Sequence, residues 1–443
     1  MAPTPDPVGS DATPPASTRV VVIGGGIIGV STAYFLARAG VPVVLCEKGV
    51  IAGEQSGRNW GWVRKMGRDP VEVPLMIEAQ RIWAELDTEL NAETGFRRCG
   101  IVYMCRTEQD LARREAWLEQ IGRPFQLDSR LLTRDQMARA LPGMAGSWAG
   151  GLYTPSDGRA EPQKAAPAIA NAARRLGAVI LTGCAVRGVQ RTGGRISGVV
   201  TEKGPIACDS VVLAGGVWSR LFCRTLGIRL PQLRVMSAVM RTEPLEAGLE
   251  TSASGRGFAF RKRMDGGYTV ASWSGNVHDI VPDTFAFMRD FIPALRHQAG
   301  SLKLRLGGAF LGGLTTPSSW ALDQASPLER TRVLDPAPYE PILRQAQDSL
   351  VEAFPVFRGM RIAERWGGMI DVTPDAVPVI SGVDTEPGFF IATGFTGHGF
   401  GIGPGAGRLM ADIVMGGPTV VDPAPFRFRR FTDGSRPRPH PLA

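Results

Sequence analysis

Cysteine, histidine and lysine are scarce in this chain of 443 residues, and none of them is grouped. The six cysteines, Cys46, Cys99, Cys105, Cys184, Cys208 and Cys223, include no Cys-x-x-Cys pair, and the four histidines are scattered. No metal centre is therefore expected, and the thiols read as reduced side chains of a cytoplasmic protein. No apolar run approaches the roughly 18 residues that a membrane helix needs, so no membrane partner is expected. Lysine occupies only positions 48, 65, 164, 203, 262 and 303, so arginine supplies most of the basic side of a formal charge of +8. The arginines are interspersed with acids, which argues against nucleic acid as a partner and leaves a surface attractive to anionic small molecules.

Hydrophobic residues at 44% and charged residues at 21% exclude wholesale disorder and suit two or three domains with real cores. Only the ends depart from this balance. Residues 1–18, rich in Pro, Ala and Thr, read as a disordered tail, neither signal peptide nor anchor. Residues 426–443 carry Arg-Phe-Arg-Arg and several prolines, and read as a tail that straps the surface or stays disordered. No internal repeat is evident.

What is present begins with Arg19-Val-Val-Val-Ile23, a β-branched run that predicts a buried parallel strand. It leads into Gly24, Gly26 and Gly29 in Gly-x-Gly-x-x-Gly spacing, then a helical segment to Arg38, then a second strand from Pro42 to Cys46 that ends at Glu47 and Lys48. Gly24 permits the tight turn, Gly26 lets the backbone approach a pyrophosphate, and Gly29 lets helix and strand pack closely. The helix start at Ile27 and Ile28 offers free N–H groups to phosphate. Glu47, about 20 residues past the glycines, suits the ribose hydroxyls and would repel a 2′-phosphate. Ala214-Gly215-Gly216 lacks a third glycine, so one dinucleotide is expected.

Four further segments resemble the FAD-dependent D-amino-acid oxidase superfamily, which includes glycine and sarcosine oxidases. The first is Glu54-Gln-Ser56-Gly57-Arg58-Asn59-Trp60-Gly61-Trp62, similar to the family's loop along the pyrophosphate and ribityl chain. The second, Asp157-Gly-Arg-Ala-Glu-Pro162 followed by Gly177-Ala-Val-Ile180, Ala185 and Val186, resembles a return segment whose strand end touches adenine. The third, Asp209 to Trp218, resembles the family's third FAD-domain strand and its glycine turn at Ala214, Gly215 and Gly216. The fourth runs from Trp366-Gly-Gly through Thr373-Pro-Asp375 to Gly394-Phe-Thr-Gly397-His398-Gly399-Phe400-Gly401-Ile-Gly-Pro404. There Phe389 to Ala392 predicts a strand, the glycines a slim loop, and Pro404 the first turn of a helix to Met415. A flat ring could lie on such a loop, with amides and a helix end stabilising negative charge on a reduced flavin. The resemblance implies FAD. It is expected to be noncovalent, because Gly368 stands near the place where some members carry a linking cysteine.

Amine oxidation by this family moves a hydride from the α-carbon to flavin N5 and holds a substrate carboxylate on a cation, ideally an arginine fork. The arginine that glycine and D-amino-acid oxidases place before Thr-Pro-Asp has become Ile370 here. Arg64, in Trp62-Val-Arg-Lys-Met-Gly-Arg68, matches the segment where sarcosine oxidases hold the carboxylate, whereas Lys65 and Arg68 read as residues of solvated turns. The oxygen-activating lysine of sarcosine oxidases has no counterpart in Gly267-Tyr-Thr-Val-Ala-Ser-Trp273. The expected reacting residues are Arg64, Trp218, Trp366 and His398, and Trp60, Trp62 and Trp273 are expected to help line an aromatic pocket.

The expected architecture is α/β: an FAD-binding Rossmann-like domain of the glutathione-reductase type 2 (19–70, 150–232, 366–425), interleaved with an α+β substrate domain (71–149, 233–365) having a mostly antiparallel sheet. The resemblance implies oxidative deamination of an α-amino acid to a 2-oxo acid, ammonia and hydrogen peroxide, with dioxygen as acceptor. The Ser56 to Arg64 segment is similar to bacterial or reconstructed L-amino-acid oxidases and implies L substrates. A dehydrogenase or opine-oxidising subunit that passes electrons to a partner is the alternative, and a homodimer is left open.

Overall fold

The structure, a computed structural model, describes residues 3–273, 275–298, 302–435 and 437–442. Val20–Ile23 is an inner strand of a six-stranded sheet ordered Val379–Gly382, Phe389–Thr393, Ser210–Leu213, Val20–Ile23, Val43–Cys46, Val179–Leu181. All neighbours are parallel except the Val379–Gly382 edge. Alternation along the strand divides the core. Val20 and Val22 meet the helices Ile27–Arg38, Pro162–Arg175 and Gly399–Met415, while Val21 and Ile23 meet the antiparallel meander Val186–Thr192, Arg195–Thr201, Gly204–Ala207. With both faces covered, all four residues are buried, each contributing roughly 1.5–3 kcal/mol.

Helix Gly399–Met415 begins five residues before Pro404, so that proline lies inside the helix and not in its first turn. Packing explains the difference. A Cβ on Gly403 would stand 2.7 Å from the Ile27 side chain, and one on Gly407 2.3 Å from Ser31 Cβ, so glycines let this helix press against Ile27–Arg38 closely enough for burial to override poor propensity.

The second sheet has ten strands and is mostly antiparallel, as expected. Its longest pairing joins Leu233–Thr242 to Ile362–Val372, with Val239 opposite Trp366 and Ser237 opposite Gly368. Gly150–Thr154 also belongs here, paired with Ile101–Cys105 and Arg130–Leu132. The boundaries expected at 150 and 366 therefore move, because both segments are strands of the substrate sheet that hand the chain over to the dinucleotide domain.

The disordered opening tail is corrected. The Asp11 N–H donates to the Ile180 carbonyl (2.8 Å) and the Asp11 carboxylate accepts from the Ile180 N–H (2.8 Å), so the tail covers the exposed edge strand Val179–Leu181. Ser17 then bridges to Ala207. At the other end Phe426 is buried and Arg430 grips Asp375 with Nε (2.7 Å) and Nη2 (3.2 Å). Both members of this pair are buried, so Arg430→Ala leaves an uncompensated carboxylate and should cost about 3–5 kcal/mol in urea unfolding. A loss under about 1 kcal/mol would show that the strap does not hold the Thr373–Val377 segment.

Candidate active site

A single cavity of about 740 Å³ runs from the glycine turn at Gly24 past the segments 55–62 and 397–401 to Trp273 and Leu304. At its dinucleotide end, the Gly25 N–H donates to Glu47 Oε2 (2.7 Å), the Gly49 N–H donates to Oε1 (2.6 Å), and the Ile27 N–H donates to Ser56 Oγ (2.8 Å). Burial pushes the Glu47 carboxyl up, and the two N–H groups partly offset that. Gly24 has φ +112°, and a Cβ there would lie 2.4 Å from the Ala214 carbonyl oxygen. A Cβ on Gly29 would meet the Gly24 carbonyl oxygen at 1.9 Å. Gly24, Gly26, Ile27, Ile28, Glu47, Lys48, Ala185, Val186, Ala214, Gly215 and Gly216 all stand on the wall, whereas Gly29 only lets helix and turn pack. This cradle fits the expected dinucleotide: backbone at the glycine turn, an acid for the ribose, and small residues at Ala185 and Ala214.

In the middle, Ser56, Arg58 to Trp62 and Gly397 to Gly401 line the cavity, and the N-terminus of Gly399–Met415 opens on it. These residues would flank a flavin ring. Gly57 and Gly394 lie off the wall: a Cβ on Gly57 would meet the Ala52 carbonyl oxygen at 2.2 Å, and one on Gly394 (φ +79°) would meet Thr373 at 2.4 Å. Asp371 was not foreseen. Its Oδ1 accepts from Gln55 Nε2 (2.7 Å), and its Oδ2 accepts from Gln232 Nε2 (3.0 Å), Thr393 Oγ1 (3.1 Å) and the Gly394 N–H (2.6 Å). These partners come from three distant segments, so no local pattern announces it.

Trp218 stands at the dinucleotide end, with its Nε1 on Glu54 (3.0 Å) and Lys48 Nζ 4.5 Å from its ring, away from the expected reacting group. Trp366 is a correction: 2% exposed, it packs behind Trp60 with Val239 and Ala271, off the wall, and donates to the Arg58 carbonyl (2.9 Å). The aromatic chamber is built instead by Trp60, Trp62 and Trp273, whose ring centroids lie 4.5–5.7 Å apart.

The turn 64–68 borders this chamber. Asp157 accepts from the Lys65 N–H (2.7 Å), the Met66 N–H (3.2 Å) and Gln80 (2.9 Å), and burial pushes its carboxyl up to about 6. Arg64 reaches the Met66 carbonyl and lies 5.3 Å from the Trp273 ring. Lys65 leaves the wall and meets Asp128 at 3.5 Å. Arg68 is not on a solvated turn. It is 1% exposed, pairs with Glu72 (3.3 Å) and donates to the His398 carbonyl (3.0 Å). Burial lowers its guanidinium to about 10, still charged at neutral pH.

Most cations of the wall are paired with an acid. Lys48 pairs with Glu54, Arg58 with Asp335, Arg68 with Glu72 and Arg332 with Glu202, but among the described residues no carboxylate lies within ion-pair distance of Arg64. His398 lines the cavity 3.7 Å from Glu72, and among the described residues His398 Nδ1 and Glu72 Oε2 are both buried without a hydrogen-bond partner. Burial opposes ionisation of Glu72, yet Arg68 and His398 bring its carboxyl below the usual range. Burial drives His398 down to about 4, so it is neutral at pH 7. Because unfolded chain takes up a proton near the ordinary histidine pKa, His398 should withdraw up to about 3 kcal/mol of stability as pH falls from about 6.5 to about 4. His398→Gln should flatten the fall of Tm over that window; an unchanged profile would refute the buried neutral imidazole.

Comparison with known proteins agrees with this geometry. The profile of the family described as FAD dependent oxidoreductase matches residues 19–413. L-amino acid deaminase from Proteus myxofaciens, solved in complex with anthranilate, is 34% identical over 97% of both chains with a TM-score of 0.93. L-amino acid deaminase from Proteus vulgaris is 30% identical over 96% of this chain and 99% of that one, with a TM-score of 0.91. Sarcosine oxidase subunit beta from Arthrobacter is 26% identical over 97% of this chain and 95% of that protein. The chain thus belongs to the FAD dependent oxidoreductase family, uses FAD and is an amino-acid oxidoreductase by its relatives.

Proposed function

We propose that this enzyme oxidises L-α-amino acids to 2-imino acids, which water converts to 2-oxo acids and ammonia, with dioxygen accepting the electrons as hydrogen peroxide. The glycine turn at Gly24, Glu47 and the segments 58–62 and 397–401 would hold FAD noncovalently, and FAD would supply the acceptor for a hydride, two electrons and a proton, from the substrate α-carbon. The observation that carries the reading is Arg64, the wall guanidinium with no acid partner among the described residues, set beside an aromatic chamber. Its charge is free to meet a substrate carboxylate, while Trp60, Trp62 and Trp273 offer apolar surface to a bulky side chain. His398, neutral at pH 7, adds no positive charge of its own to the wall. The likeness to the two Proteus deaminases supports L substrates.

One observation favours a second acceptor. Among the described residues Lys48 is the lysine of the wall, and it is held by Glu54 and by the Thr331 and Arg332 carbonyls. No lysine is thus available in the chamber to stabilise negative charge on reducing oxygen, which is consistent with electron transfer to a partner instead.

In an assay with L and D amino acids, 2-oxo acid should form from L substrates with equal peroxide. Product that forms only with an added dye acceptor would select the second reading. Arg64→Ala should lower kcat/KM by about 2 to 5 kcal/mol with FAD content unchanged. An unaltered kcat/KM would place the carboxylate on another cation.

A further inference from the structure

Residues 437–442 are not accounted for by the cofactor cradle or by the reacting groups. Pro439 stands on the cavity wall, and Leu442 packs on a cluster that contains Trp62, Met66 and Tyr103. The Leu442 N–H donates to His440 Nδ1 (3.3 Å). His440 also acts electrostatically on Asp69, at the far end of the turn that carries Arg64 and Arg68. Upstream, the Arg430–Asp375 pair and the Phe428 N–H on Ser381 Oγ (2.8 Å) fix the strap beside the Thr373–Val377 segment. The chain therefore starts at one flank of the cavity, where Thr373 and Ala376 are exposed to it, and reaches the turn 64–68 at the other. Pro437, Pro439 and Pro441 fix φ at alternate positions, so the free segment has few conformations to lose when it docks.

We propose that residues 437–442 form an outer wall of the substrate chamber and set the size of side chain the enzyme accepts, with Pro439 as the contact residue and Leu442 as the anchor. The inference rests on the functional reading above and names a specificity determinant for it. A pyrrolidine ring on the wall is small, rigid and apolar, so its replacement changes the room for an apolar side chain without adding or removing charge. One methylene's worth of misfit in an apolar pocket is worth about tenfold or more in discrimination.

Two variants test this, each compared with wild type as holoenzyme. Pro439→Phe narrows the chamber. It should lower kcat/KM for L-tryptophan about tenfold while changing that for L-alanine less than about twofold, with FAD content and Tm retained. The double variant Pro439→Gly, Leu442→Asp undocks the arm. It should raise KM for L-phenylalanine and L-leucine more than for L-alanine, with kcat affected less than KM. A readout free of turnover is the change in the flavin spectrum on titration with anthranilate, whose Kd should weaken about tenfold in Pro439→Phe.

Unchanged profiles and an unchanged anthranilate Kd in both variants would overturn the proposal, as would an equal loss for every substrate, the mark of a merely structural strap. Should the double variant fail to fold, Pro439→Phe still decides. Failure of the functional reading looks different: wild-type protein that carries FAD yet oxidises no amino acid, while the anthranilate titration continues to report on the arm.

Discussion

A buried carboxylate without a cation beside it has to be satisfied by hydrogen-bond donors, and Asp371, which has no ion-pair partner among the described residues, meets that constraint at the point where the two sheets meet. Its own strand, Ile362–Val372, belongs to the ten-stranded sheet. Its donors come from the short helix Gln55–Arg58, from the segment ahead of Leu233–Thr242, and from the end of Phe389–Thr393 in the six-stranded sheet. Desolvation makes each missing donor expensive, so the segment 55–58, the Gly394 turn and the substrate strand are held in one arrangement. The continuity of dinucleotide groove and chamber depends on that arrangement.

A consequence is the electrostatic pattern along the wall. With Lys48 held by Glu54 and two carbonyls, Arg58, Arg68 and Arg332 each beside an acid, and His398 kept neutral by burial, Arg64 is left as the wall cation without an acid partner among the described residues. On the proposed reading such a wall would admit an apolar side chain and receive the substrate carboxylate at Arg64. Asp157 then matters indirectly: by accepting from the Lys65 and Met66 N–H groups it fixes the turn from which Arg64 projects.

The dinucleotide end was legible because its parts lie within about 30 residues and each glycine has a local steric reason. Glu47, Gly24 and Gly26 are found where the pattern puts them. Gly29 belongs to the same pattern through packing alone. The substrate end was legible only through resemblance. Asp371 and Gln232 are 139 residues apart in the chain, so neither predicts the other. Trp366 and Trp273 carry the same chemistry, but Trp366 lies within Ile362–Val372 and packs on Val239 and Ala271, whereas Trp273 lies two residues past the end of Tyr268–Ala271 and stays on the wall. Arg68 was misread because arginine in a glycine-containing turn is ordinarily solvated; Glu72, one helical turn on, makes its burial tolerable. The opening tail was misread for a related reason, since low hydrophobicity does not prevent a segment from pairing with an open sheet edge.

The central claim is that one cavity, closed by both sheets, holds FAD against an amino acid anchored by Arg64. Anaerobic addition of L-phenylalanine to the purified holoenzyme, followed through the visible flavin band, tests it most directly. The account predicts stoichiometric bound FAD that is bleached by the L isomer and far more slowly by the D isomer; protein that carries no flavin after incubation with excess FAD, or a band that no amino acid alters, would contradict it.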